Sequence, residues 1–184
     1  MRNSVKRRLR FSIGVHLCAV ALVALAVAGC GGDAESSATT ATAPPGTAPA
    51  VVVTVWFADG QGALRTERRE LPPGTDPLRG ALDELAAGPD DPALIPALPR
   101  GTRVLSATAD GPLATVDLSE EFVTGYPPGG AAAELAVVGP LVRTAATASG
   151  AALVRVLVEG RPPVPAGSQL DFAQPLAPGD LPPP

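Results

Sequence analysis

The 184-residue chain carries 14 Lys and Arg against 18 Asp and Glu, a formal net charge of −4, and its single His and two Cys fall at residues 16, 18 and 30. Residues 1–29 hold five of the basic residues and none of the acidic ones, so the rest of the chain sets nine arginines against eighteen carboxylates, a formal charge of −9. Such an acidic surface is a poor partner for a nucleic-acid backbone. Once His16 and Cys18 are assigned to the leading segment, the remainder has no histidine, no methionine and one cysteine, which excludes an internal disulfide, histidine-based catalysis and zinc binding, and no cofactor is expected.

Arg2, Lys6, Arg7, Arg8 and Arg10 precede an apolar run over residues 11–28, the charge order and length of an export signal. The run ends in Val27-Ala28-Gly29-Cys30, which resembles the lipobox of bacterial lipoproteins. That resemblance implies removal of residues 1–29, acylation of Cys30 and anchoring of the exported protein to the outer face of the cytoplasmic membrane. A single membrane-spanning helix is the competing reading of the run, and Arg7-Arg8 leaves Sec and twin-arginine export both open. Residues 30–50 are rich in Ser, Thr, Ala, Pro and Gly and read as a flexible tether.

The expected domain occupies residues 51–175, with 176–184 a disordered tail. Val51, Val53, Val55 and Phe57 alternate with Val52, Thr54 and Trp56, a strand apolar on both faces and so central in its sheet. Asp59-Gly60-Gln61-Gly62 turns it into an amphipathic return strand, residues 63–71, whose dense charge predicts an edge. Arg65, Arg68 and Arg69 could form an anion-binding patch there. Interleaved Glu67 and Glu70 favour a solvated face that discourages pairing.

Asp76-Pro77 predicts a helix start, the Asp capping and the Pro at the first helical position, and Leu78, Ala81, Leu82, Leu85 and Ala86 form its inward stripe as far as Gly88-Pro89. Leu94, Ile95 and Leu98 then predict a loop lying over the core. Val104, Ser106 and Thr108 alternate with Leu105, Ala107 and Ala109, and a second alternating run over residues 113–118 follows Asp110-Gly111, predicting a hairpin. Asp117 and Glu120 have the spacing of a capping pair, with Glu121 beside them. The alternative for these three carboxylates is a glycoside-hydrolase-like acid/base pair. Tyr126, in the Pro- and Gly-rich loop that follows, is either a recognition aromatic or a packing ring.

Residues 131–149 predict a second long helix with Gly139-Pro140 inside it, so either the helix kinks or two shorter helices meet there. Leu153, Val154, Val156, Leu157 and Val158 predict an internal strand. The expected fold is α+β, a two-layer mixed sheet with two helices in the order ββαββαβ, and Ala58-Asp59-Gly60 and Ala109-Asp110-Gly111 hint at internal duplication.

Val53-Thr54-Val55-Trp56-Phe57, Leu82-x-x-Leu85-x-x-Gly88-Pro89, Ile95-Pro96, Gly101-Thr102, Val116-Asp117-Leu118-Ser119 and Val154-Arg155-Val156-Leu157-Val158-Glu159-Gly160, in that order, resemble the GerMN domain. That family occurs in proteins of sporulation and spore germination and in many actinobacterial lipoproteins, the type this chain resembles. A continuous helix in place of Gly139-Pro140 is the family pattern. The resemblance implies an envelope location and an assembly or binding role, with an envelope protein or peptidoglycan as partner and no catalytic residue. Two functions follow as expectations. One is a non-enzymatic lipoprotein interaction domain, with Tyr126, Arg65 and Arg69 as candidate contacts; the other is a wall hydrolase using Asp117, Glu120 or Glu121.

Overall fold

A computed structural model describes residues 49–181. Cys30, the export signal and nearly all of the tether lie outside the described residues. Strand β1, Val51–Asp59, is flanked in its sheet by β2, Leu64–Leu71, and by the two-residue β3, Leu94–Ile95. Its alternation buries Val53, Val55 and Phe57, and the register runs from Val51 opposite Leu71 to Ala58 opposite Leu64. The connecting turn is held by Asp59, whose Oδ1 accepts from the amides of Gln61 and Ala63, both at 2.9 Å. The central position of β1 and the edge position of charged β2 are as their patterns predict.

Helix α1, Pro77–Ala87, starts as expected, with the Asp76 carboxylate accepting from Arg79 N at 2.8 Å and Pro77 at the first position. Leu78, Ala81, Leu82 and Leu85 are buried, while Ala86 is exposed and leaves the predicted stripe. Leu94 and Leu98 of the following loop are buried, and Leu94 and Ile95 add a short strand to β1.

The hairpin of β4, Val104–Asp110, and β5, Leu113–Leu118, closes through two residues, Gly111 and Pro112. Gly111 has φ 53°, and a positive φ followed by proline's fixed negative φ is the pattern of a type II′ turn. A short helix α2, Glu121–Thr124, and the long α3, Gly130–Ser149, then cross over to β6, Leu153–Val158, which pairs parallel with β5. The α+β class and the overall order of elements are therefore as expected. The strands divide into two three-stranded sheets, β2-β1-β3 and β4-β5-β6, and the hairpins differ in turn length and in which strand is central.

Three expectations need correction. Helix α3 runs unbroken through Pro140, so two separate helices are overturned. An interior proline costs about 3 kcal/mol. Val137, Val138, Leu141 and Val142 are all buried around it, and each such side chain contributes about 1.5–3 kcal/mol, so packing outweighs the break. Strand β6 is an edge and not internal; its free edge is partly taken by the C-terminal segment, where Val154 and Leu176 exchange two backbone hydrogen bonds of 2.8 Å. The described part of the predicted tail is docked by that bridge, and Leu181 is buried.

The core lies between β1, the inner face of β4-β5-β6 and the two longer helices, with α3 packed along β1 and against α1. Since β3 pairs only with the end of β1, the side of β1 near Trp56 would otherwise leave amides unpaired. Fully buried Thr144 of α3 fills that role: its Oγ1 accepts from Trp56 N at 2.9 Å, and Thr147 Oγ1 accepts from the indole Nε1 at 3.2 Å.

Candidate functional site

A buried polar cluster centres on Glu134, in the first turns of α3. Its side chain is 3% exposed, and Glu134 is the only charged residue between Gly130 and Val142. Tyr126 Oη donates to Glu134 Oε1 at 2.9 Å, the Ser168 hydroxyl donates to the same oxygen, and Gln169 N donates to Oε2 at 3.1 Å. Leu170 N adds a longer contact of 3.4 Å to Oε1. One carboxylate thus joins the loop after α2, the start of α3 and the C-terminal segment.

Burial pushes the Glu134 carboxyl up, but donors from Ser168, Gln169, Tyr126 and Leu170 more than offset it and hold the group below the ordinary glutamate value. The Tyr126 phenol moves the opposite way, raised by burial and by the adjacent carboxylate. Tyr126 is 9% exposed and packs edge-on against Phe122, at 5.6 Å between ring centroids, and against Phe172, at 6.5 Å. The loop can reach this position because Gly125 presses on Pro99, where a Cβ would lie 2.7 Å from the proline Cβ. The recognition and packing readings of Tyr126 thus meet a ring turned into the core.

Beside this cluster is an open cavity of about 170 Å³, lined by Pro163, Pro165, Ser168, Leu170 and Phe172 among others. Asp171 is the only carboxylate on its wall, and its Oδ1 accepts from Ala173 N at 2.9 Å. No group of His, Cys, Asp and Glu suited to a metal ion exists among the described residues.

The two arginines singled out on β2 separate. Arg65 is 63% exposed and lies 3.4 Å from Asp59 Oδ2. Arg69 is drawn into a cage: it pairs with Glu67, reaches Asp90 Oδ2 at 2.6 Å and Glu84 Oε2 at 3.7 Å, and donates to Gly88 O at 3.1 Å. Glu67 in turn accepts from the amides of Asp90 and Asp91, at 3.2 and 2.9 Å. This network fastens the loop after α1 to β2, and its guanidinium is occupied by the protein itself.

Asp117, Glu120 and Glu121 do not form the expected capping pair. Asp117 lies in β5 and accepts from Gly160 N at 3.0 Å, which ties the end of β6 to its neighbour. Glu120 precedes α2 without a side-chain capping bond. The Ser119 hydroxyl, the nearby backbone and, more weakly, Arg103 at 3.8 Å hold Glu121 below the usual carboxylate value. Alternation along β5 could not reveal the Gly160 contact, because it depends on where β6 is brought by the crossover. Glu134 was missed for a related reason, although a single carboxylate within an apolar helix is a signal that could have found it.

Residues 54–164 match the family described as "Germane: Sporulation and spore germination". The search of curated proteins found no match. Among solved structures, a candidate lipoprotein from Clostridium perfringens is similar at 22% identity and a TM-score of 0.50, with 72% of this chain and 90% of that chain covered. The tandem GerMN domains of the sporulation protein GerM from Bacillus subtilis are similar at 20% identity and a TM-score of 0.55, covering 75% of this chain and 48% of that chain. The first GerMN domain of the same protein gives 20% identity and a TM-score of 0.53, with coverage of 69% and 97%. At these identities the likeness concerns the fold.

Proposed function

The chain belongs to the Germane family of sporulation and spore-germination domains, and from that premise we propose that it is a lipid-anchored envelope protein whose GerMN-type domain acts by contact and not by catalysis. The observation that carries this reading is how the enclosed ionic groups are used. Glu134 accepts from donors of two remote segments and Arg69 is paired within its carboxylate cage, so both act as ties within the fold. Glycoside hydrolysis uses one acid held protonated by a raised pKa. Glu121 is instead shifted toward its ionised form.

The anchor rests on Val27-Ala28-Gly29-Cys30 and is supported by the fold likeness to a candidate lipoprotein. No helix among the described residues is long and apolar enough to cross a membrane. The partner is another envelope protein or peptidoglycan, reached across the tether from the outer face of the cytoplasmic membrane. Photo-crosslinking from Arg65 on intact cells should capture one reproducible envelope component. Replacement of Cys30 by Ala should move the protein from the membrane fraction to the soluble exported fraction; retention at the membrane would overturn the lipid anchor. Incubation with purified peptidoglycan should leave the muropeptide pattern unchanged, and products lost on Asp117→Asn would establish the hydrolase instead.

A further inference from the structure

The described strands offer several edges, and they differ sharply. Five of the eight residues of β2 are charged, which disfavours pairing with another strand. β3 has only two residues, and the outer side of β6 is taken at Val154 by Leu176 and at Val158 by Arg161. β4 is different. From Val104 to Ala109 it has no charged residue, and no backbone hydrogen bond joins it to any described segment beyond β5 and the residue after it. Leu105, Ser106, Thr108, Ala109 and Asp110 are exposed, so this edge is open to an incoming strand.

Charge then selects the incoming strand. Arg103, with 70% of its side chain exposed, stands just before β4, and Asp110 stands at its other end. An antiparallel copy of the same segment would bring unlike charges together at both ends. A twofold axis normal to the sheet requires directly opposed residues to point to the same face. With Ala107 on the axis, Ser106 lies opposite Thr108 of the second copy. The register shift between Val104 and Ser106 places one extra residue there, so Arg103 falls level with Asp110 of the second copy. Arg103 and Asp110 also share a face, because Val104 points to the core with Leu118, and the bulge returns Ser106, Thr108 and Asp110 to the outer side with Asp117, Thr115 and Leu113.

We infer that β4 pairs antiparallel with β4 of a second copy of this chain about a twofold axis at Ala107, joining two three-stranded sheets into one of six strands. Small hydroxyl side chains face each other across the centre and can exchange hydrogen bonds, and an Arg103–Asp110 pair closes each end. This inference is independent of the lipid anchor and of any envelope partner.

Sedimentation of the whole protein, extracted from membranes in mild detergent, provides the test. A monomer–dimer equilibrium is expected. Arg103→Asp and Asp110→Arg should each weaken it about tenfold, since each removes two symmetry-related ion pairs, and the two substitutions in one chain should restore it to within about twofold. Under mild oxidation, Ser106→Cys in one tagged copy should crosslink to Thr108→Cys in a differently tagged copy, because opposed Cα atoms about 4.5–5.5 Å apart suit a disulfide. Arg68→Cys on the β2 edge should not crosslink, with the wild-type chain as the blank. A monomer at every concentration, a dimer indifferent to the charge exchange, or capture of a different protein by the β4 cysteines would overturn the inference. The exposed Ser106 and Thr108 positions keep the test valid if a charge variant folds poorly.

Discussion

Glu134 is a charged group enclosed by its own fold, and its energetics follow from its donors. Replacement by Gln preserves size but puts an NH₂ where donors already converge, so Glu134→Gln should cost about 2–4 kcal/mol in urea denaturation. Tyr126→Phe removes a single donor and should cost about 1 kcal/mol. The pH dependence has a definite sign. The folded-state pKa of Glu134 lies below its ordinary value, so in the acid range the unfolded chain binds the extra proton and stability rises with pH. The contribution is complete above the ordinary glutamate pKa and is lost as pH falls through the lowered folded value. Urea midpoints measured from neutral into this acid range should show a slope that is smaller in Glu134→Gln; an unchanged slope would assign it to other carboxylates.

Helices here are judged by what they meet as much as by what they contain. Helix propensity alone favours Ala over Gly in a helix interior by about 1 kcal/mol. At Gly80 the sign should reverse, because a Cβ would stand 2.3 Å from Leu71 Cδ1 and 3.0 Å from Thr75 Cγ2. Gly80→Ala is therefore expected to lose about 1–3 kcal/mol in thermal or chemical unfolding through crowding of α1 on β2. Thr144 presents the complementary case on α3. Thr144→Val keeps the shape but leaves the Trp56 amide without its acceptor, an expected loss of about 1–3 kcal/mol. Local hydrogen exchange should show the Trp56 amide losing more protection than its neighbours in β1. Pro140 completes the argument: the local rule against proline is sound, but the buried stripe around it holds the helix together.

Across the molecule, the C-terminal segment is part of the core assembly. Phe172, 3% exposed, closes the aromatic group with Phe122 at 6.4 Å and Tyr126, and Leu176 covers the edge of β6. Phe172→Ala should cost about 3–5 kcal/mol and lower the unfolding midpoint of the whole domain rather than fray its end. The contrast with the sequence reading is instructive, because residues 176–181 carry one proline, one glycine and little periodicity, and only their docking gives them structure. Sequence alone determined the strands with period-two burial, the Asp76-Pro77 helix start, a reversal near Asp110-Gly111 and the α+β class, since each depends on steric and capping rules acting over a few residues; that the loop is the two residues Gly111 and Pro112 came from the structure. Tertiary structure decided the division into two sheets, the edge position of β6, the continuity of α3 and the roles of Glu134, Arg69 and Asp117. Those outcomes depend on partners remote in the chain, such as Gly160 for Asp117 and Ser168 for Glu134, and local patterning carries no information about which distant donor will arrive.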